Sequence, residues 1–271
     1  MTHRISRFFG IIVLCLTAAG TLSANDRRFT YTYESSVMPL GVRELEIWNT
    51  YRRDRSYFYR RLDQRVEFEF GLGGNLQTSL YLNTEWTLFD DRLGSGGGTA
   101  TSKVGASISS EWKLKLMDRV ADPVGFALYG EWTLGLDETE VEGKLIFDKQ
   151  SGPLLYAMNV VGEHEWETGF ENGVEEVGRE FTLEIDGGCS YEVAAQFALG
   201  LEARNVNTYK TGNLEISALF AGPVVSYTGE SWWATLTVLP QLTAFKGATS
   251  GGLNLDDHEK VDVRLLLSYH L

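Results

Sequence analysis

From residue 42 to the C-terminus, apolar and polar positions alternate with a period of two. Val66, Phe68, Phe70 and Leu72 interleave with Arg65, Glu67, Glu69 and Gly71; Leu80, Leu82 and Trp86 with Ser79, Tyr81, Asn83 and Glu85. The same holds for Ile108, Trp112, Leu114 and Leu116 against Ser109, Glu111, Lys113 and Lys115, and for Phe181, Leu183 and Ile185 against Thr182, Glu184 and Asp186. Successive side chains on a strand point to opposite faces, so each segment has one apolar and one polar face. The pattern predicts about twelve strands, near 42–53, 57–72, 75–88, 102–117, 124–135, 140–148, 154–166, 179–189, 195–206, 213–226, 231–241 and 259–271. Residues 27–34, with Phe29, Tyr31 and Tyr33 alternating, form either a further short strand or a periplasmic lead-in. No amphipathic helix, fixed-period repeat or second domain is evident. Pro223 and Pro240 mark a bulge or a strand end, because proline cannot donate to a ladder.

Such strands build either a soluble sandwich or barrel with its apolar face inward, or a transmembrane barrel with that face to lipid and the polar face lining a lumen. Three features favour the second. Several strands exceed the usual length of about 5–6 residues and reach the roughly 9–11 tilted residues of a membrane crossing. Connections alternate in length: 73–75, 117–123 and 149–153 are short, whereas 89–101, 167–178 and 242–258 are long, with the short link near Asp54 as a departure. Aromatics cluster at strand ends, as amphipathic rings do at membrane interfaces: Trp86, Trp132 and Trp166 at the expected outer interface, Trp232, Trp233 and Tyr269 at the inner one. The expected fold is an all-β, closed antiparallel transmembrane β-barrel of about 12 strands, with short periplasmic turns and longer external loops.

Composition narrows the partners. The chain carries a net charge of −13, with 43% hydrophobic and 12% aromatic residues. No stretch approaches the roughly 20 apolar residues of a membrane helix. The aromatic content excludes disorder, and the acidic balance excludes nucleic acid, since no basic surplus exists to neutralise phosphates. Residues 1–24 read as a secretory signal peptide: His3, Arg4 and Arg7, an apolar run from Phe8 to Gly20, then small residues with cleavage after Ala24. Cys15 follows the bulky Leu14, which argues against lipid attachment. Loss of the leader removes two arginines and no acid, so the mature chain is more acidic still, and Cys189 is left without a disulfide partner. The organisation expected is a signal peptide at 1–24, a periplasmic lead-in at 25–41 and a barrel at 42–271.

A resemblance enters at the C-terminus. Val261, Val263, Leu265, Leu267, Tyr269 and Leu271 alternate with Asp262, Arg264, Leu266, Ser268 and His270. This resembles the closing strand of Gram-negative outer-membrane β-barrel proteins, which usually end in Phe where this chain has Leu271. Residues 31–52, with Tyr33-Glu34, Pro39-x-Gly41 and Glu44-x-Glu46-x-Trp48, and residues 220–241 resemble a largely uncharacterised, porin-like family of such barrels. The resemblance implies the outer membrane as location. Its lipid, its lipopolysaccharide and the barrel-assembly machinery are then partners, and the implied role is porin-like. It specifies no solute and no cofactor.

Catalytic and metal motifs are weak. In Glu163-His164-Glu165 the carboxylates and the imidazole point to opposite faces of a strand, so an interfacial His beside Trp166 is the plain reading. Asp256-Asp257-His258-Glu259 lacks the glycine and spacing of a calcium loop. Ser268 and His270 share a face, but at the rim. Gly94–Gly98 lacks the Lys-Ser/Thr and helix of a phosphate loop. Cys189 is a small filler. No catalytic residue, metal or cofactor is expected.

The polar face carries the candidate solute path: Arg65, Glu67, Glu69, Glu85, Glu111, Lys113, Glu131, Glu184, Glu202, Arg204 and Arg264, together with Lys115, Glu142, Lys144, Asp186 and Asp262. Arg or Lys facing lipid at the midplane costs about 2–4 kcal/mol, so these side chains line the interior. Acids outnumber bases, and rings of acids favour cations. The leading expectation is a narrow pore for diffusion of small hydrophilic solutes with a mild cation preference. The alternatives are a non-conducting structural or interaction barrel with its lumen occluded by ion pairs, its acidic external loops (Asp90-Asp91, 171–176, Asp256-Asp257) meeting lipopolysaccharide, and a positive track of Arg65, Arg204 and Arg264 for an anionic substrate.

Overall fold

In a computed structural model the structure describes residues 26–90, 99–171 and 174–271, without the side chains of 170–175. The signal peptide, Asp91, Gly94–Gly98 and the acids of 171–175 lie outside these residues or side chains.

The alternating segments form twelve strands: β1 (Arg43–Arg53), β2 (Tyr59–Gly73), β3 (Leu76–Asp90), β4 (Ala100–Met117), β5 (Gly125–Gly135), β6 (Glu138–Ser151), β7 (Leu154–Glu171), β8 (Val174–Ala194), β9 (Phe197–Lys210), β10 (Asn213–Thr228), β11 (Trp232–Lys246) and β12 (Val261–His270). Each pairs antiparallel with its neighbours in sequence, and β12 returns to β1 to close the barrel. The seam runs from Glu44↔His270 to Arg53↔Val261. Closure removes the unpaired edges that an open sheet would present to other chains.

The apolar face looks outward. Phe68, Leu80, Leu82 and Ile108 are 46%, 57%, 53% and 52% exposed, whereas their neighbours Glu67, Glu69, Ser79, Ser109 and Glu111 are buried inside. An apolar exterior around a polar interior is the arrangement that lipid stabilises and water does not.

We call the rim that carries the start of β1 and the end of β12 the near end. At the opposite, distal end the expected loop at 167–178 is largely paired strand, since β7 and β8 stay in register out to Glu171↔Val174. The β9–β10 link is only Thr211-Gly212, both at positive φ (49° and 81°), the conformation a tight type I′ hairpin demands and glycine supplies without strain. The long distal connection among the described residues is 247–260, between β11 and β12. Pro223 and Pro240 fall where the β10–β11 ladder is interrupted, between Phe220↔Gln241 and Val224↔Thr237.

Residues 26–41 differ from expectation. They form neither a strand nor a lead-in outside the barrel; residues 26–38 run inside it, with Arg27, Phe29 to Ser35 and Met38 all buried, and 39–41 are exposed at the rim before β1. The physical reason is that a barrel of this width leaves interior space that wall side chains alone do not fill. A segment carrying three large rings fills it.

Candidate functional site: a lumen stoppered by the N-terminal segment

Among the described residues, each buried apolar cluster contains one ring of this segment. Phe29 packs with Leu155, Ala157 and Val224. Tyr31 packs with Val206, Ala218, Phe220 and Leu239. Tyr33 packs with Trp48, Ala127, Tyr129, Ile146, Trp233 and Leu266. Gly188 makes the seat for Phe29: a Cβ there would lie 2.4 Å from the ring.

The segment has no ladder partner among the described residues, and wall side chains take its backbone hydrogen bonds, as buried amides require. The Glu202 carboxylate accepts from the amides of Thr30 (3.2 Å), Tyr31 (2.7 Å) and Thr32 (2.6 Å), from the Thr30 hydroxyl (3.2 Å) and from Thr237 (2.8 Å). Asn159 brackets Tyr33, accepting from its N–H at 2.6 Å and donating to its C=O at 3.0 Å. Asp148 accepts from the Ser35 amide and hydroxyl at 3.0 and 2.6 Å, and Gln77 from the Met38 amide at 2.9 Å. Thr235 donates to the Arg27 carbonyl at 2.6 Å. Ion pairs tie the rim: Arg28 to Glu192 at 2.8 Å, and Arg119 to Glu34. The hydrogen-bonding wall residues on strands lie in the near half of those strands, and Arg119 lies in the near connection between β4 and β5, so the segment is a stopper seated from the near end.

The charges predicted for the lumen sit there. Glu67, Glu69, Glu111, Lys113, Glu131 and Glu202 are buried in the wall, and Arg65, Glu85, Glu184, Arg204 and Arg264 are half-buried. Their partners are fixed. Arg204 meets Glu184 at 2.6 Å and lies 3.7 and 3.8 Å from Asp186 and Asp262. Arg65 meets Glu131 at 3.2 Å and Arg61 meets Glu85 at 2.6 Å. Tyr81 donates to Glu111 and Tyr129 to Glu131. The Arg204 and Arg264 guanidinium groups lie over the Tyr31 ring, 4.0 and 3.5 Å from its centroid. These arginines are engaged by carboxylates and by the stopper, rather than lining a free positive track.

The distal half is different in character. Across the β6–β7 ladder Glu138 faces Glu167, Glu140 faces Glu165 and Glu142 faces Glu163; across β7–β8, Glu165 faces Glu180. Lys144 meets Glu142 at 2.9 Å and Lys210 meets Glu180 at 3.1 Å. Like charges directly opposite on a sheet repel, so this wall is a concentrated negative field at the mouth.

Outside, Trp86, Trp132, Trp232 and Tyr269 are exposed on the apolar face (42%, 42%, 43% and 52%). Trp166 packs against His164, ring centroids 4.2 Å apart. Trp232 and Tyr269 are cross-strand partners at the near end. Trp233 corrects the expectation that both tryptophans lie at the interface: it points inward, is fully buried and donates to Glu44. One-residue alternation forces adjacent residues onto opposite faces.

Sequence reasoning missed the stopper and its cradle: Glu44, Glu46, Trp48, Gln77, Asp148 and Asn159. The signal was partly present, since Glu44-x-Glu46-x-Trp48 has period two and falls on the polar face. It also left Glu138 and Glu140 unnamed, and weighed Glu163 and Glu165 as metal ligands without counting them among the lumen charges.

Fold and interior define a closed twelve-stranded barrel of the outer-membrane type, with a stoppered near half and an acidic distal half. Residues 21–271 match the model of DUF6662, a family of unknown function, and the chain belongs to that family. No curated protein sequence matches it. Solved structures share its fold at low identity. The COG4313 outer membrane channel from Pseudomonas putida F1 superposes with a TM-score of 0.59 at 10% identity, covering 88% of this chain and 98% of that one. The NanC porin gives 0.50 at 13%, covering 84% and 100%. The KdgM porin in complex with disordered oligogalacturonate gives 0.50 at 9%, covering 83% and 98%.

Proposed function

We propose that this protein is an outer-membrane channel held closed by its own N-terminal segment, and that small hydrophilic solutes pass, with a mild preference for cations, when the segment leaves the lumen. The observation that carries this reading is the seating of residues 27–38 by single side chains of the wall, above all Glu202. A segment held by side chains can leave without breaking any rung of the barrel ladder. The acidic rungs of β6, β7 and β8 support the cation preference, since a negative mouth concentrates cations. The exterior supports a place in lipid, and the shared fold of channels and porins supports passage as the role.

The test is planar-bilayer recording of the mature barrel and of a variant lacking residues 26–39. The intact barrel is expected to be closed with rare openings, and the shortened barrel to conduct steadily with a cation-selective reversal potential in a salt gradient. A shortened barrel that folds and yet passes neither ions nor small sugars in liposome swelling overturns the proposal. That result favours a second reading, a non-conducting barrel, which the wall ion pairs Arg204–Glu184 and Arg65–Glu131 support because they remain when the stopper is gone.

A further inference from the structure

Glu46 on β1 and Glu67 on β2 face each other across the ladder, and on the preceding rung Glu44 faces Glu69. Ser79 on β3 lies opposite Glu69 on one side and Glu111 on the other. One oxygen each of Glu46, Glu67 and Glu69 lies within 4.8 Å of the others. The three glutamates are 0%, 1% and 4% exposed and Ser79 is 0% exposed. Trp48 donates to Glu46 Oε2 at 2.6 Å and Gln77 to Glu69 Oε2 at 2.8 Å. Glu46 Oε1, Glu67 Oε2 and the Ser79 hydroxyl oxygen are buried with no hydrogen-bond partner among the described residues.

Buried carboxylates in contact are stable only when something positive or a shared proton joins them. The cations within electrostatic reach are Arg27 of the stopper, which acts on all three glutamates, Lys113 on Glu111 and Glu69, Arg65 on Glu67 and Lys144 on Glu111; Arg65 and Lys144 are already paired with Glu131 and Glu142. Arg27 is held against the rings of Tyr33 and Trp48, 4.1 and 4.8 Å from their centroids. Apart from Arg65 and Lys144, which are engaged by Glu131 and Glu142, Arg27 and Lys113 face five carboxylates among the described residues, Glu44, Glu46, Glu67, Glu69 and Glu111. The donors are all oxygen, and three of them are unused.

We propose that Glu46, Glu67, Glu69 and Ser79 form a buried site for a hard divalent cation of the calcium type, which joins β1, β2 and β3 in the near half of the lumen. Carboxylate and hydroxyl oxygens without nitrogen or sulfur suit calcium, which tolerates irregular shells of about 6–8 oxygens, with water completing the shell. The proposal is independent of conduction: it concerns the closed barrel as described.

Trp48 gives the site its own probe, because an indole next to bound terbium(III), a calcium mimic, sensitises its emission. The mature protein in detergent, stripped with EDTA, is titrated with terbium and then with calcium. Expected is sensitised emission that calcium displaces. E67Q should weaken calcium affinity about tenfold or more, read by calorimetry, and W48F should abolish most of the emission. Folding of each variant is checked by heat-modifiable gel migration; if E67Q does not fold, S79A must show the weakened affinity instead. No calcium-displaceable emission overturns the proposal in favour of a shared proton. Emission unchanged in the double variant W48F, W233F overturns it too, since both indoles beside the cluster are then gone and the ion sits elsewhere.

Discussion

Glu202 shows how one side chain can hold a segment of backbone. Its carboxylate takes three consecutive amides of the stopper, at Thr30, Tyr31 and Thr32. In E202A those amides are buried without a partner, each costing about 1–3 kcal/mol. We expect E202A to lower stability by roughly 3 kcal/mol, read by urea unfolding in lipid vesicles, and to raise open probability in bilayers. Gly188 is the apolar counterpart. G188V puts a branched side chain where the Phe29 ring lies, so the ring must leave; the expected outcome is increased proteolysis of residues 26–40 in a barrel that still migrates as folded. That Glu202 faces the interior was legible from parity alone. What it binds was not: its partners lie about 170 positions earlier in the chain, and no local pattern encodes such a contact.

At the level of elements, the strands were legible because each carries its instruction locally, in alternation. The stopper was not, because a segment held by side chains needs no ladder periodicity of its own; Phe29, Tyr31 and Tyr33 alternate, yet their seats are spread over β1, β5 to β12. The distal connection 247–260 is ordered in a comparable way, with Asn254 bonded to Gln241 in both directions. Within it His258 packs on Phe220, ring centroids 5.7 Å apart. Burial lowers the His258 pKa below its ordinary value, against the opposing pull of Glu259. The imidazole therefore takes up a proton more readily in the opened loop than in the packed one. Stability from this packing is present above about pH 6.5 and declines as pH falls below it. Amide exchange across 247–260 should accelerate in that acid range, and H258F should flatten the dependence.

For the molecule as a whole, the decisive property is which face of the sheet meets the surroundings. Leu82 lies in the outward apolar band, 53% exposed. Leu82 lies near the middle of β3, so L82R should cost about 2–4 kcal/mol of stability in phospholipid vesicles, whereas the neighbouring inward position Asn83 should tolerate a polar change far better. The distal acids set the field of the whole interior. The triple change E140Q, E163Q and E165Q should shift the reversal potential of the stopper-less barrel toward zero in a salt gradient, leaving its conductance at high salt nearly unchanged, because screening removes the field there.

Both ends of the stopper lie at one rim. Asp26 is 3.5 Å from His270, the last residue of β12, and Leu40 reaches the β2–β3 turn at Gly73. The segment goes in and comes back like a cork on a short tether, and never threads the tube. A tag or domain fused ahead of Asp26 would thus emerge on the side where β1 begins, and could pull the cork without having to cross to the far side.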